Sequence, residues 1–288
     1  MWDTQTVDLG SGRTLHARTA GEGPDVVLIH GALTTSHDWL TSPLAAELAR
    51  DHRVIVIDRP GHGLSRRPRL AGTPREQAEQ IAEGLEKLGS MRPVVAGHSF
   101  GGLVALALAE GFPDLVAGMV LVAPIAFPEP RLLEHSLLAP RSLPILGPVF
   151  SRIAEQTQLD RAMLAFVQKL MFAPQEIPVR WSDTFPYHLV LDSDALVFQG
   201  EDAAAILPLS PTATFPVAAM ETPAHVLTGT ADRIVDAERQ GKRLARLLPN
   251  GLVTEIEGAG HMLHHTHPAA VLAAIRDSVR DAAAPARA

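Results

Sequence analysis

Short apolar runs alternate with segments of helical spacing along the first half of the chain. In residues 37–50 and 74–88, apolar side chains recur every three or four positions, which predicts helices that each bury one face. Continuous apolar runs, which predict strands buried on both faces, lie at 24–31, 52–61, 92–97 and 116–124. This alternation predicts an α/β fold, in which a mostly parallel sheet carries helices on both faces.

The pattern changes after Pro124 and returns near residue 224. Residues 125–222 contain many prolines and several helical stretches, including a candidate helix at 150–171, but no clear buried strand. A segment of this length is too long for an ordinary loop. The sequence therefore predicts a helical cap that is inserted into a continuing α/β domain.

The change of pattern also predicts the domain boundaries. Residues 1–124 and 223–282 are expected to form the core domain, and residues 125–222 the cap. The small, polar residues 283–288 are expected to form a disordered tail.

Composition and charge narrow the classes of function. The chain is 46% hydrophobic and 20% charged, which is typical of a globular protein with a sizeable core. A net charge of −7 without any basic block argues against nucleic-acid binding. The absence of cysteine excludes cysteine nucleophiles, disulfides and cysteine-ligated metals.

The N-terminus and the apolar runs bear on location. The first residues lack the basic start and apolar core of a signal peptide, and no apolar run is long enough to span a bilayer. A cytoplasmic protein without membrane association is therefore expected. A homodimer is left open.

The stretch GHSFGG at residues 97–102 supplies a candidate nucleophile. Ser99 follows a predicted strand and precedes a predicted helix, so it lies at a sharp turn where the flanking residues approach each other closely. Gly97 and Gly101 leave the space that such a turn needs, which makes this a nucleophile-elbow motif. The alternative is a glycine-rich structural turn in which the serine has no catalytic role.

A nucleophilic serine needs a base, and the base needs an orienting carboxylate. Asp232 follows the predicted strand 224–229, and His261 follows the last predicted strand, so both are expected at the same sheet edge as Ser99. Their order along the chain, serine, acid and then histidine, fits this architecture.

Each triad partner has a competitor. Asp236 is an alternative acid, although it is expected in the first turn of a helix and exposed to solvent. His264, His265 and His267 are metal ligands by residue type, but neither an HExxH motif nor a carboxylate cluster accompanies them in the sequence. They are expected at the surface of a helix start or at the pocket rim, and no metal is predicted.

Two backbone N–H groups are needed to hold an oxyanion. Phe100, directly after the serine, is expected to supply one. Ala32, in the loop after strand 24–31, is expected to supply the other, with Leu33 as the alternative. His30 is expected to hold that loop, while Asp58 and Ser65 are expected to play structural roles at another strand end.

Together these segments resemble the α/β-hydrolase superfamily, specifically serine hydrolases with a helical cap. The resemblance covers nearly all of the chain and rests on five motifs in the expected order: HGALTTSHDW, DRPGHGLS, GHSFGG, GTADRIVD and GAGHMLHHTHP. It implies a triad of Ser99, His261 and Asp232, an oxyanion hole from Ala32 and Phe100, and no metal or organic cofactor. Relatives with an alkyl-enzyme mechanism carry aspartate at the elbow, where this chain has serine.

The resemblance implies hydrolysis of a small-molecule carboxylic ester through an acyl-enzyme. The apolar composition of the cap favours a small to medium, mostly apolar substrate, and the candidate lining residues are Leu33, Phe127, Phe166 and Trp181. Carbon–carbon bond hydrolysis of meta-cleavage products is the alternative, and lactonase, perhydrolase and lyase chemistry stay open on the same triad. A non-catalytic small-molecule receptor is the alternative hypothesis from outside the enzymes.

Overall fold

Eight strands form one sheet in the computed structural model, which describes residues 1–130, 132–157, 159–207 and 214–284. The strand order across the sheet is β1-β2-β4-β3-β5-β6-β7-β8. β1–β2 and β2–β4 pair in antiparallel fashion, and all other neighbours are parallel, as the alternating pattern predicts. The strands are β1 (Asp3–Gly10), β2 (Arg13–Ala20), β3 (Asp25–Ile29), β4 (Arg53–Ile57), β5 (Val94–His98), β6 (Gly118–Val122), β7 (Ala224–Gly229) and β8 (Gly251–Ile256).

The helices lie on both faces of the sheet and in the segment between β6 and β7. They are α1 (His37–Thr41), α2 (Pro43–Leu48), α3 (Pro74–Lys87), α4 (Phe100–Gly111), α5 (Leu132–Leu137), α6 (Leu146–Thr157), α7 (Leu159–Phe172), α8 (Val179–Thr184), α9 (Tyr187–Val190), α10 (Ser193–Ala205), α11 (Arg243–Leu247), α12 (Leu263–Thr266) and α13 (Pro268–Ala283). Short 3₁₀ turns lie at Ala139–Ser142 and Val217–Ala219, and a π-helical turn at Glu238–Lys242 precedes α11.

One of the predicted helices is divided in the structure. The segment 37–50 breaks at Ser42, whose backbone is extended because the following Pro43 disfavours helical geometry in the residue before it. The Ser42 hydroxyl then accepts from the Leu44 N–H and caps α2. The candidate helix 150–171 corresponds to α6 and α7, with residue 158 outside the described residues.

The central strands bury side chains on both faces of the sheet. Along β3, Val27 and Ile29 join the apolar cluster that includes α3 and α4, while Val26 and Leu28 join the cluster that includes α2 and α13. This alternation follows from the two-residue period of a strand. It explains why these strands are continuous apolar runs in the sequence.

The described residues between β6 and β7 form helices joined by turns and loops, and none of them lies in a strand. This segment has an apolar cluster of its own, with Phe172, Trp181 and Phe185 packed together and Met262 of the core against them. Its division from the core as a separate cap at 125–222 stays a prediction. We call this segment the helical insertion.

The C-terminal helix runs one residue into the predicted tail. α13 extends to Ala283, and residues 285–288 of the predicted tail lie outside the described residues. A search of the described helices for a stretch with the length and apolar character of a membrane span finds none.

Candidate active site

Ser99 lies at the corner between β5 and α4. Its backbone has φ 52° and ψ −117°, a conformation that costs a non-glycine residue on the order of 1–3 kcal/mol. A Cβ added to Gly97 would lie 2.4 Å from the carbonyl oxygen of Gly101, and one on Gly101 would lie 2.4 Å from that of Ile29. The close approach inferred from the motif is therefore present, and only glycine fits two positions before and two positions after the serine.

His261 and Asp232 meet at the same sheet edge. The Nδ1 atom of His261 lies 2.7 Å from Oδ2 of Asp232, and both side chains are almost fully buried. The other carboxylate oxygen accepts the N–H groups of Ile234 at 2.7 Å and Val235 at 2.9 Å. Burial opposes ionisation of Asp232, but His261 and these two N–H groups outweigh it and hold the pKa of the carboxyl below its usual value.

The loop that carries His261 is anchored to the helical insertion. The His261 N–H donates to the carbonyl of Met171 at the end of α7, and the Gly260 N–H donates to the Gln175 side chain at 2.9 Å. A Cβ on Gly260 would lie 2.2 Å from the Ala173 carbonyl oxygen, so this contact requires glycine.

Asp236, the competing acid, lies apart from this pair of side chains. Its side chain is about half exposed, and Oδ1 accepts the N–H of Arg239 at 3.0 Å. This is the solvated helix-start role expected from its position. The geometry therefore favours Asp232 as the partner of His261.

The loop after β3 approaches the elbow closely. A Cβ on Gly31 would lie 3.1 Å from the Cβ of Ser99, so the backbone at this point packs directly on the serine. The Leu33 N–H is already engaged, because it donates to Oε1 of Gln199 at 3.1 Å. This engagement favours Ala32 over Leu33 as the second donor beside Phe100.

The supporting residues of this loop have the structural roles that the sequence predicts. His30 is fully buried and bonds its own loop through Nδ1, which lies 2.8 Å from the Gly31 carbonyl oxygen. Asp58 accepts the N–H groups of Ser36 and Leu64, and Ser65 donates its hydroxyl to the Asp58 carbonyl.

A cavity of about 860 Å³ joins these groups. Ser99, His261 and Asp232 line it, together with Ala32 and Leu33. The helical insertion supplies a largely aliphatic part of the wall, which includes Leu137, Leu138, Met163, Leu164, Val167, Leu170, Met171, Leu191 and Leu196. The segment after β7 supplies a charged part, which includes Arg233, Asp236, Glu238, Arg239 and Lys242. The aliphatic part of this space suits an apolar molecule.

Three of the four candidate lining residues lie outside this wall, which corrects the expectation. Phe166 is on the outer side of α7 with 53% of its surface exposed. Trp181 is buried in the aromatic cluster of the insertion, and Phe127 packs beneath the guanidinium of Arg243. Leu33 is the one of the four that lines the cavity.

A buried carboxylate that the sequence did not single out lies behind His261. Asp38 is almost fully buried, and one of its oxygens accepts from Nε2 of His264 at 2.7 Å and Nε2 of His265 at 2.9 Å. His98 lies 3.5 Å from the other oxygen and contacts the His261 carbonyl through Nε2 at 3.3 Å. The expectation that His264 and His265 are surface residues is therefore wrong. A charged residue directly before the core residue Trp39 was the available signal.

This cluster also has the residue types of a metal site. Donor atoms of Asp38, His98 and His264 all lie within 4.8 Å of one another. Burial opposes ionisation of Asp38, yet the histidines hold the pKa of its carboxyl well below its usual value. The carboxylate therefore accepts N–H groups from His264 and His265, and a protonated nitrogen offers no lone pair to a metal. These hydrogen bonds engage Nε2 of both histidines and one oxygen of Asp38, whereas Nδ1 of His264 takes no hydrogen bond within the described part of the chain.

Buried histidines are expected to make the fold sensitive to acid. Burial, more than any charge nearby, lowers the pKa of His264 to about 3 and that of His62 to about 4. Unfolded chains bind a proton at these positions below about pH 6.5, whereas the folded protein does not. The free energy of unfolding therefore decreases as the pH is lowered. Between pH 6.5 and 5 each imidazole contributes roughly 2 kcal/mol to this loss.

Urea unfolding at pH 7 and pH 5 measures this effect. We expect a clearly lower free energy of unfolding at pH 5, and a shallower pH dependence in His264→Gln. The exposed His188 provides the matched control, since His188→Gln should keep the slope of the parent protein. Equal free energies of unfolding at the two pH values would contradict the prediction.

Comparison with known sequences decides the family. A sequence profile described as "Alpha/beta hydrolase family" matches residues 26–274, which is most of the chain. The chain belongs to the alpha/beta hydrolase family. This membership confirms the resemblance drawn from the five motifs, and it agrees with the observed sheet.

Individual members of the family are similar to this chain over different lengths. A thermophilic esterase from Thermogutta terrifontis is 25% identical, with a TM-score of 0.71 over 98% of this chain and 99% of that one. The 2-(acetamidomethylene)succinate hydrolase of Mesorhizobium japonicum is 24% identical over 96% of this chain and 95% of its own length.

The first curated relatives are matched over only about a third of their length. One is the dihydrolipoyllysine-residue acetyltransferase component of the acetoin cleaving system of Cupriavidus necator, 38% identical over 124 residues, which are 43% of this chain and 32% of that protein. Such local similarity supports the shared family and leaves the activity of the whole protein to be proposed.

Proposed function

We propose that this protein is a serine hydrolase that cleaves carboxylic esters with a mostly apolar acyl or alcohol part. The observation that carries the proposal is that one cavity holds a serine on a strained elbow and a histidine bonded to a buried carboxylate. Similarity to an esterase along the whole chain adds support. The substrate is a small molecule, and the chemistry is acyl transfer to water.

The first step of the proposed reaction forms an acyl-enzyme. In neutral His261 the Nδ1 proton donates to Asp232, which leaves Nε2 free to take the proton of the Ser99 hydroxyl. The serine oxygen attacks the ester carbonyl, and the Ala32 and Phe100 N–H groups hold the oxyanion. The imidazolium, stabilised by Asp232, then gives its proton to the leaving alcohol.

Water completes the cycle by the same route. His261 takes a proton from water, the hydroxide attacks the acyl-enzyme carbonyl, and the proton returns to Ser99 as the acid leaves. The helix that begins at Phe100 adds positive potential at its N-terminus, where the negative charge develops in both steps.

The cations of the cavity bear on the carbon–carbon alternative, whose substrates carry a carboxylate. The largely buried Arg141 is held by Asp160 through two hydrogen bonds of 3.2 and 2.6 Å. Arg233, Arg239 and Lys242 line the cavity as well, so a carboxylated ester tests this alternative directly. The aliphatic side chains of the insertion suit a hydrocarbon chain and favour an ester substrate.

A series of p-nitrophenyl esters tests the substrate class. Each buried methylene contributes about 0.8 kcal/mol, so we expect kcat/KM to rise at least about tenfold from acetate to hexanoate. The hemisuccinate ester, with a carboxylate at the chain end, should react more slowly than butyrate. A steep fall beyond acetate or butyrate would contradict an apolar pocket, and a preference for the hemisuccinate would favour carboxylated substrates.

Two positions on α7 provide matched variants for this experiment. Met163 lines the cavity, so Met163→Trp should shorten the preferred acyl chain. Phe166 lies on the same helix but is exposed, so Phe166→Trp should leave the preference unchanged.

A further inference from the structure

A fully buried arginine lies behind the loop that carries Ala32. Arg59, two residues after the end of β4, donates from Nε to the His30 carbonyl at 3.0 Å and from Nη2 to the Gly31 carbonyl at 3.2 Å. Its guanidinium also lies over the Phe100 ring, 4.6 Å from the ring centre. One side chain therefore contacts the backbone of the loop that carries Ala32 and the ring of Phe100, the two residues from which the oxyanion donors are proposed to come.

The Gly31 carbonyl is the decisive contact because of peptide geometry. The C=O of Gly31 and the N–H of Ala32 belong to one planar trans peptide, so they point in opposite directions. A donor that fixes the Gly31 carbonyl on the protein side thereby fixes the Ala32 N–H on the cavity side. A positive charge at the carbonyl end also polarises the peptide and strengthens its N–H as a donor.

His30 adds a second donor to the same carbonyl. The Arg59 backbone N–H donates to Nε2 of His30 at 2.9 Å, so this nitrogen carries no proton. The proton of the neutral ring is then on Nδ1, 2.8 Å from the Gly31 carbonyl oxygen. Arg59 thus acts on this peptide twice, through its own guanidinium and through the tautomer of His30.

The helical insertion holds Arg59 in place. Nη1 of Arg59 donates to Oδ2 of Asp202 on α10 and to Oε1 of Gln77 on α3, each at 2.8 Å. Asp202 is almost fully buried, and the Gln77 side chain donates to its second oxygen at 2.9 Å. The guanidinium is therefore fixed on one side by the insertion and on the other by residues 30–32 of the loop after β3, which we call the oxyanion loop.

We propose that Arg59 is a positioning residue that aims the Ala32 N–H at the oxyanion, and that Asp202 of the insertion sets its orientation. The inference rests on the proposed function, since it needs Ala32 to be an oxyanion donor. Arg59 does not touch the substrate. Its effect is confined to the step in which negative charge develops on the carbonyl oxygen.

A matched pair of buried arginines separates this role from general support of the fold. Arg67 is also buried and pairs with Glu201, the neighbour of Asp202 on α10, and its Nη2 atom lies 4.0 Å from Oδ1 of Asp202. Its guanidinium lies 4.5 Å from the Phe198 ring centre. Its backbone acceptors are the carbonyls of Pro60 and Pro68, not the oxyanion loop. Lysine at either site keeps the charge but cannot span several acceptors as a guanidinium does.

The experiment compares Arg59→Lys with Arg67→Lys by hydrolysis of p-nitrophenyl butyrate and by inhibition with a trifluoromethyl ketone. The ketone accepts the Ser99 oxygen at its carbonyl carbon while the serine proton passes to His261, so the adduct carries the oxyanion. For Arg59→Lys we expect kcat to fall at least about tenfold with KM nearly unchanged, and ketone affinity to fall by a similar factor. Arg67→Lys should alter each quantity less than about threefold.

Several outcomes would overturn the proposal. One is an Arg59→Lys variant with parental kcat, another is equal losses in both lysine variants, and a third is a loss confined to KM. If Arg59→Lys does not fold, the double variant Arg59→Met with Asp202→Leu removes the ion pair without leaving a buried charge, and the same kcat and ketone losses are expected. Failure of the proposed function would show itself separately. An active Ser99→Ala variant would mean that Ser99 is not the nucleophile, whatever the result for Arg59→Lys.

Discussion

Replacing Ser99 with alanine is expected to lower ester turnover by about three orders of magnitude or more. The substitution removes the attacking oxygen and leaves the cavity, the backbone donors and the other two side chains in place. Alanine keeps the Cβ atom, so the strained backbone of the elbow is unchanged, and the thermal unfolding midpoint should move little. Near-parental esterase activity in this variant would refute the assignment of the nucleophile.

Covalent labelling shows whether the serine is activated as well as present. A fluorophosphonate probe should label the parent protein at Ser99, and the label should be lost in both Ser99→Ala and His261→Ala. The second variant matters because it leaves the serine in place and removes only its base. A parent protein that binds small molecules but takes no label would instead favour the non-catalytic receptor.

The second large effect concerns the acid of the triad. Asp232→Asn is expected to lower kcat by about three to four orders of magnitude, because the amide no longer holds the Nδ1 proton of His261 and the imidazole adopts the wrong tautomer. The carbonyl oxygen of the new amide can still accept the Ile234 and Val235 N–H groups, so the loop should keep its shape.

Asp236→Asn is the matched control for this substitution. Asp236 lies in the same loop region and lines the same cavity, but it is half exposed and caps a helical turn, which asparagine does equally well. Its kcat should stay within about threefold of the parent value. A larger loss in Asp236→Asn than in Asp232→Asn would reverse the assignment of the acid.

The elements that the sequence predicted well share a local origin. Gly97 and Gly101 flank Ser99 because the turn itself needs them, and together with the strand before and the helix after they mark the elbow within a short stretch of sequence. Asp232 and His261 could be assigned because parallel strands end at one edge of the sheet, which brings the loops after them together. The hydrogen bond between them agrees with that placement.

The expectations that failed depended on long-range packing. Trp181 and Phe166 were candidate lining residues because they are aromatic and belong to the insertion, but the angle at which a helix packs decides which face meets the cavity. His264 and His265 were expected at the surface of a helix start or at the pocket rim. Asp38, more than two hundred positions earlier in the chain, is what makes their burial favourable.

The sequence by itself determined the α/β fold, and it predicted the helical insertion and the three side chains that we propose as the triad. Strand periodicity, turn sterics and chain order are local or topological properties, so they can be recognised from the sequence. The tertiary structure alone decided which side chains line the cavity, how Asp38 is satisfied, and that Arg59 bridges the insertion and the oxyanion loop. Each of these depends on buried polar contacts between segments distant in sequence, whose favourable energy exists only once the helices have packed.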